Sequence, residues 1–219
     1  MSTTTLLCFH GIGTCREERE PGESRYWVTQ DAFQRMLDEV ADAPRAGLSF
    51  DDGNRSDVDI ALPALEERGL TATFFALAGR LDDPASLSAG DLRALAGAGM
   101  RIGSHGWRHI PWHGMSDADA QREIVDARAA LAEAGGTPVT EAALPLGRYG
   151  RRTLHRLRAA SYEAVYSSDR FPARDGAWLR PRYSVTASDP PASVRRILLG
   201  RFRLEERRNA LASAVKRLR

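Results

Sequence analysis

The residue order predicts an α/β protein of repeated strand–helix units laid into a mostly parallel sheet or barrel. Short apolar runs alternate with stretches whose apolar residues recur at helical spacing, the pattern of crossover units rather than hairpins. The runs end in glycine-bearing turns such as Gly11-Ile12-Gly13 and Asp51-Asp52-Gly53. A length of 219 residues, 42% of them hydrophobic and 27% charged, suits one domain with one substantial core.

Leu6–His10 reads as the first strand, followed by a charged loop from Cys15 to Arg25. Thr29 is the N-cap of a helix from Gln30 to about Val40 that puts Phe33, Met36, Leu37 and Val40 on one face. Pro44 breaks that pattern, and Leu48–Asp51 is the next strand. Asp57–Arg68 presents Ile60, Leu62 and Leu65 and stops at Gly69, as a helix with a glycine after its last turn does. Leu70–Ala78 is a β-prone run, Ser88 caps a helix through Ala96, and Met100–Ser104 is a strand that delivers His105. The longest mid-chain helix starts at Ser116 or Asp117 and reaches Ala134. Ala142–Leu146, Ala164–Ser167 and Leu179–Val185 are further strands, and Arg151–Ala160 is a helix among them. Pro190-Pro191 opens a C-terminal helix with Val194, Ile197, Leu198 and Phe202 on one side.

Cys8 and Cys15 are the only cysteines, and nothing in their placement requires a disulfide. The opening Met1–Thr5 has no basic segment and Leu6–Phe9 is short for a signal peptide, so a cytoplasmic location is expected. No apolar run of the roughly 18 residues needed to span a membrane occurs. Arg195–Arg219 holds nine Lys/Arg against two Glu, which leaves the rest of the chain mildly acidic and argues against nucleic acid as a partner.

The stretch Leu48-Ser49-Phe50-Asp51-Asp52-Gly53 ends a strand with two adjacent carboxylates. Like charges side by side push one pKa up, and a bound dication relieves the repulsion, so one Asp suits a metal ligand and the other a general base. An ordinary turn accounts for Asp-Asp-Gly equally well when taken alone. The balance changes with Ser104-His105-Gly106-Trp107-Arg108-His109 at a second strand end. Ligands of parallel α/β folds gather at the carboxyl ends of strands, where Asp51, Asp52, His105, His109, Pro145–Tyr149 and His10 all fall. Two imidazoles four positions apart with a carboxylate make an N,N,O set suited to Zn²⁺ and other first-row divalent ions, with positions left for water and substrate. Trp107, Trp112, Tyr26 and Trp27 are rings that either stack on a sugar or cover loops, and His155, among arginines, fits a solvated helix surface.

Three segments together resemble the first three motifs of the polysaccharide deacetylases (NodB-homology domain, carbohydrate esterase family 4): Ser49–Gly53, Ser104–His109 and Leu144–Tyr149. The resemblance runs from Leu6 to about Val185. It implies a distorted, incomplete (β/α)7-type barrel with a C-terminal amphipathic helix, residues 1–189 forming the deacetylase-like domain and 190–219 the basic helix. It implies metal-dependent removal of an N-acetyl or other acyl group from an amino sugar, with Asp52, His105 and His109 holding Zn²⁺, or else Co²⁺, Ni²⁺ or Mn²⁺. Asp51 becomes the general base, a backbone N–H in Pro145-Leu146-Gly147 steadies the oxyanion, and Trp107 and Tyr149 join that turn in the substrate site.

Two departures stand out. Many members have an arginine just before the proline of the third motif, but Ala142-Ala143-Leu144 precedes Pro145, leaving Arg148 or Arg182 to orient the base. The late histidine that brings a catalytic acid is absent from Ile197–Arg201, so His113, Asp51 or His10 must protonate the leaving amine. Leu179-Arg180-Pro181-Arg182 resembles the ending of the exopolysaccharide and poly-N-acetylglucosamine branch. A cytoplasmic enzyme of this kind meets its acylated amino sugar as a sugar nucleotide or a lipid-linked precursor. The basic C-terminal helix then packs on the barrel, joins a dimer, or touches anionic lipid at the inner membrane face. A non-catalytic glycan-binding scaffold and a deacylase of a non-sugar amide are the alternative functions.

Overall fold

A computed structural model of the chain describes residues 2–200 and 203–218. The chain begins with β1 (Thr3–Phe9), the short pair β2 (Gly11–Ile12) and β3 (Trp27–Val28), helix α1 (Gln30–Ala41) and β4 (Ala46–Asp51). Next come α2 (Leu62–Glu67), β5 (Ala72–Ala76), α3 (Ala89–Gly97), β6 (Arg101–Ser104), α4 (Asp117–Ala120), α5 (Ala127–Gly135) and β7 (Glu141–Ala143). The last part holds α6 (Arg151–Ala159), β8 (Ala164–Ser167), β9 (Ala173–Arg174), β10 (Leu179–Pro181), β11 (Tyr183–Ser184), α7 (Pro191–Leu198) and α8 (Arg203–Leu218).

The main sheet runs β10-β8-β7-β6-β5-β4-β1-β11 with every neighbouring pair parallel. The two outermost strands of that row, β10 and β11, are separated in the chain by Arg182 alone. The chain thus leaves one edge of the sheet and enters the other within one residue, which curls the sheet into an incomplete barrel with Arg182 at its seam. The Arg182 N–H donates to Ser167 O of β8 at 2.8 Å, whereas the Val185 N–H donates to Cys8 O of β1 at 2.9 Å, so the segment changes partner strand across Arg182. The single strand expected over Leu179–Val185 is therefore two.

Alternation along the strands sorts the core. Phe9, Phe50 and Phe74 point outward and stack, with centroids 5.7 and 4.7 Å apart, while Phe33 of α1 meets Phe9 edge-on. The residues between them, such as Ser49, Asp51 and Phe75, face the barrel interior, where Phe75, Tyr166 and Ala143 form a small cluster of their own.

Thr29 caps α1 by accepting from the Ala32 N–H, and Ser88 and Asp91 form a reciprocal cap on α3. Two expected helices contain wide turns. Asp57–Ala61 and Gln121–Asp126 are π-helical, with Leu62 and Ala127 donating five residues back to Asp57 and Arg122. At the first, Pro63 lacks the donor a regular α-helix would use there.

Two helices, α7 and α8, replace the one C-terminal helix expected, and Gly200 at φ +64° follows the first. Val194 and Ile197 of α7 enter the main core, and Phe202 lies outside the described residues. Helix α8 is inverted in its packing. Its polar side holds the body: Tyr183 OH donates to Glu206 (2.6 Å), Asn209 Nδ2 to Arg170 O (3.2 Å) and Lys216 Nζ to Asp169 (2.6 Å), and Ser213 meets Tyr149 OH. Its apolar residues Leu204, Leu211, Val215 and Leu218 are exposed. No described helix is long and apolar enough to cross a membrane.

Candidate active site

A cavity of about 430 Å³ opens at the carboxyl ends of the strands, the usual size for a small-molecule site. Asp51, Asp52, His105, His109, His10, Leu146, Gly147 and Arg182 all line it. Trp107, Pro145 and Tyr149 are not among its lining residues. Trp107 instead covers Gly79 and lies under the Arg122 guanidinium, 3.8 Å from the ring centroid. Tyr149 is buried with its OH donated to Asp169 at 2.6 Å. Trp112 is fully buried, while His113 and His155 are exposed away from the cavity.

Asp51 ends β4 and points into the barrel, where Arg182 reaches across the seam to meet it. Arg182 Nη1 and Nη2 each donate to one carboxylate oxygen at 2.7 Å, and Nη1 also donates to Ser49 Oγ at 2.8 Å. Burial alone would raise the Asp51 pKa, but the Arg182 charge, helped by His105, holds it well below the usual carboxylate range. Asp51 is thus ionised and fixed in orientation, and the arginine missing before Pro145 has a counterpart at the seam.

Asp52 follows in a left-handed conformation, φ +75°, which turns its carboxylate toward the histidines. His109 is also left-handed, φ +59°. Asp52 Oδ1 is buried and lacks a hydrogen-bond partner, lying 3.5 Å from His105 Nε2 and 3.4 Å from His109 Nε2. Those distances exceed a hydrogen bond and leave room for a shared cation.

The tautomers agree with that reading. His105 Nδ1 lies 3.0 Å from the Ala143 carbonyl, an acceptor only, so Nδ1 carries the proton and Nε2 the lone pair. Burial pushes the His105 pKa down to about 4, which keeps the ring neutral at neutral pH. His109 Nδ1 lies 2.7 Å from both Glu20 oxygens, and Arg80 Nη2 donates to Glu20 at 2.6 Å. Burial would lower the His109 pKa, but the Glu20 hydrogen bond outweighs it. Asp52, His105 and His109 each offer one ligand atom, all within 4.8 Å of one another, and that donor set fits a divalent ion.

Sequence reasoning missed two supporting carboxylates. Glu20 sits in the charged loop after the first strand, and no motif marks it. Glu123, fully buried on the π-helical turn, accepts from the Trp107 N–H (2.7 Å), the Arg108 N–H (3.2 Å) and Arg108 Nε (3.1 Å), holding the loop that joins the two histidines. Gly106 in that loop has φ +92°, and a Cβ there would come within 2.6 Å of Glu123 Oε2, so only glycine fits. Another carboxyl, Asp57, is fully buried with neither oxygen partnered, and burial, Asp52 and Asp51 push its pKa well above the ordinary value.

His10, just after β1, packs at a tilt against Tyr26 with centroids 4.7 Å apart, and its Nδ1 is buried without a partner. Cys8 and Cys15 are both free thiols.

Known proteins resemble the chain in both sequence and fold. The family model for polysaccharide deacetylase matches residues 38–165. YxkH of Bacillus subtilis (strain 168), assigned provisionally as a polysaccharide deacetylase, is 26% identical over 172 residues, which cover 72% of this chain and 62% of YxkH. The chain therefore spans under two thirds of that relative's length. The deacetylase PplD of Streptococcus pyogenes, solved with acetate, superposes with a TM-score of 0.77 at 19% identity, over 90% of this chain and 98% of PplD. IcaB of Ammonifex degensii gives 0.72 at 20% identity, over 90% and 96%. These two likenesses show the shared incomplete-barrel fold. With more than half of its length matched by the family model, and with this barrel beneath the matched motifs, the chain belongs to the polysaccharide deacetylase family, carbohydrate esterase family 4.

Proposed function

We propose that the chain is a metal-dependent hydrolase that removes an N-acetyl group from an amino sugar of a cell-surface polysaccharide or glycolipid precursor. The observation that carries this reading is the pairing of an ionised, arginine-clamped Asp51 with the convergent donors of Asp52, His105 and His109. A divalent ion held by those donors, Zn²⁺ being the best match to an N,N,O set, supplies Lewis acidity to the acyl carbonyl and to a water.

The chain's own groups do the rest. Asp51 accepts the proton of the attacking water, and Arg182 keeps its carboxylate aimed and ionised. In the Pro145-Leu146-Gly147 turn, Pro145 has no N–H and that of Gly147 is donated to Leu144 O at 3.2 Å, which leaves the Leu146 N–H for the developing oxyanion. As the C–N bond breaks, the leaving nitrogen takes a proton. His10 is the donor this reading favours, because it lines the cavity while His113 does not.

Free thiols at Cys8 and Cys15 support a reducing, cytoplasmic setting. The outward apolar stripe of α8, beside exposed Arg207, Arg208 and Arg217, supports peripheral contact with an anionic membrane face. The test is acetate release from N-acetylhexosamine oligomers, sugar nucleotides and lipid-linked amino sugars. Turnover that vanishes in Asp51→Asn supports the proposal; turnover that survives it, or no turnover on any acyl sugar, overturns it.

A further inference from the structure

The charges around the cavity do not balance. Asp51 pairs with Arg182, Glu20 with His109 and Arg80, and Glu23 with Arg19 at 2.9 Å, while Asp52 faces the two histidine nitrogens with which it would share a cation. Three guanidinium groups on the same lining, Arg25, Arg148 and Arg170, have no carboxylate partner among the described residues. Two of the three are steadied by other means. Arg25 lies over the Tyr26 ring at 5.1 Å, while Arg170 Nη1 donates to Ser184 O at 2.8 Å and its guanidinium is 5.8 Å from the Tyr183 ring. The two are linked: the Ala187 N–H donates to Arg25 O at 2.7 Å, tying Arg25 to the loop that follows β11, the strand whose Ser184 O holds Arg170. Ser168 and Thr186 add hydroxyls to this part of the lining.

An uncharged N-acetylhexosamine offers the three cations of this lining hydroxyl and carbonyl acceptors but no negative charge. Guanidinium forks match phosphate oxygens two at a time, and mutual repulsion among such groups is relieved when an anion enters. We propose that Arg25, Arg148 and Arg170 form a phosphoryl subsite, so that the preferred substrate is an N-acylated amino sugar carrying a phosphate or diphosphate. This deepens, and rests on, the deacetylase reading. The phosphoryl group belongs either to a nucleotide or to a lipid carrier.

The experiment compares kcat/KM for acetate release from UDP-N-acetylglucosamine, isoprenyl-diphosphate N-acetylglucosamine in detergent, and uncharged N-acetylglucosamine oligomers. It uses the full chain with metal and the variants Arg25→Ala, Arg148→Ala and Arg148→Glu. Arg25 and Arg148 are exposed and make no side-chain ion pair, so these variants fold. The expected result is a phosphorylated-over-neutral preference that falls about tenfold for each arginine removed, further for Arg148→Glu, and with rising salt. The better of the two phosphorylated substrates identifies the carrier. Equal use of neutral and phosphorylated sugars, or a preference that the variants leave alone, overturns the subsite while leaving the deacetylase reading intact. Calorimetry with UDP-N-acetylglucosamine separates the two ideas. Binding that Arg148→Glu abolishes, on a protein that releases no acetate, supports the subsite and sinks the deacetylase. Binding insensitive to the variants places the phosphate elsewhere and overturns the subsite.

Discussion

Arg182 and Asp51 lie 131 residues apart in the chain and share two hydrogen bonds of 2.7 Å inside the barrel. The same arginine is the one residue between the two edge strands of the sheet. One residue therefore carries the chain across the seam and pairs the buried Asp51 carboxylate.

Removing that guanidinium leaves a buried carboxylate unpaired. Arg182→Met is expected to lose about 3–5 kcal/mol of stability in urea unfolding at pH 7. Because Asp51 is held below its unfolded value, the contribution is present above the unfolded Asp pKa and fades as pH falls through the depressed folded one. The gap between variant and native protein should narrow in acid. Arg182→Lys keeps the charge and loses the fork, so the acid limb of its kcat/KM profile should move to higher pH.

Glu20 holds His109, a ligand in the proposed metal site. Glu20→Gln should weaken metal affinity about 10–100-fold in a competitive chelator titration, the usual effect of losing a carboxylate behind a ligating histidine. An unchanged affinity would mean that His109 is oriented by other groups.

Asp57 gives a prediction of opposite sign. Its folded pKa is raised, so the folded protein binds the extra proton and the wild type loses stability as pH rises above the ordinary Asp value. Asp57→Asn should therefore unfold at higher temperature than the metal-free wild type, with the gain growing from pH 4 to pH 7.

The exposed stripe of α8 predicts membrane contact. Replacing Leu211 and Leu218 with Glu removes burial of about 1.5 kcal/mol or more each on a lipid surface, so cosedimentation with anionic vesicles should fall about 100-fold. Equal vesicle binding by the variant would remove α8 from that role.

What the sequence made legible follows from local physics. Helical spacing placed Phe33, Met36, Leu37 and Val40 on the buried face of α1, and strand ends placed Asp51, Asp52, His105 and His109 around one cavity. Contacts between distant segments were harder to read. Nothing near Glu20 or Glu123 marks either as a support for a histidine, because the partners lie 89 and 15–16 residues away. Trp107 sits inside a motif, yet its ring turns to Gly79 and Arg122, a choice set by close packing that spacing does not encode. The inversion of α8 was hidden because a helical pattern gives two faces without saying which one docks.

In the proposed mechanism Asp52, His105 and His109 hold a metal that Asp51-dependent hydrolysis requires. The direct measurement is metal content and acetate release on one purified sample, before chelation, after it, and after stepwise return of Zn²⁺. The expected result is one equivalent of metal, loss of acetate release on chelation, and recovery in proportion to the metal returned. Asp51→Asn should retain the metal without turnover. Full acetate release from the metal-free protein would overturn the proposed metal role.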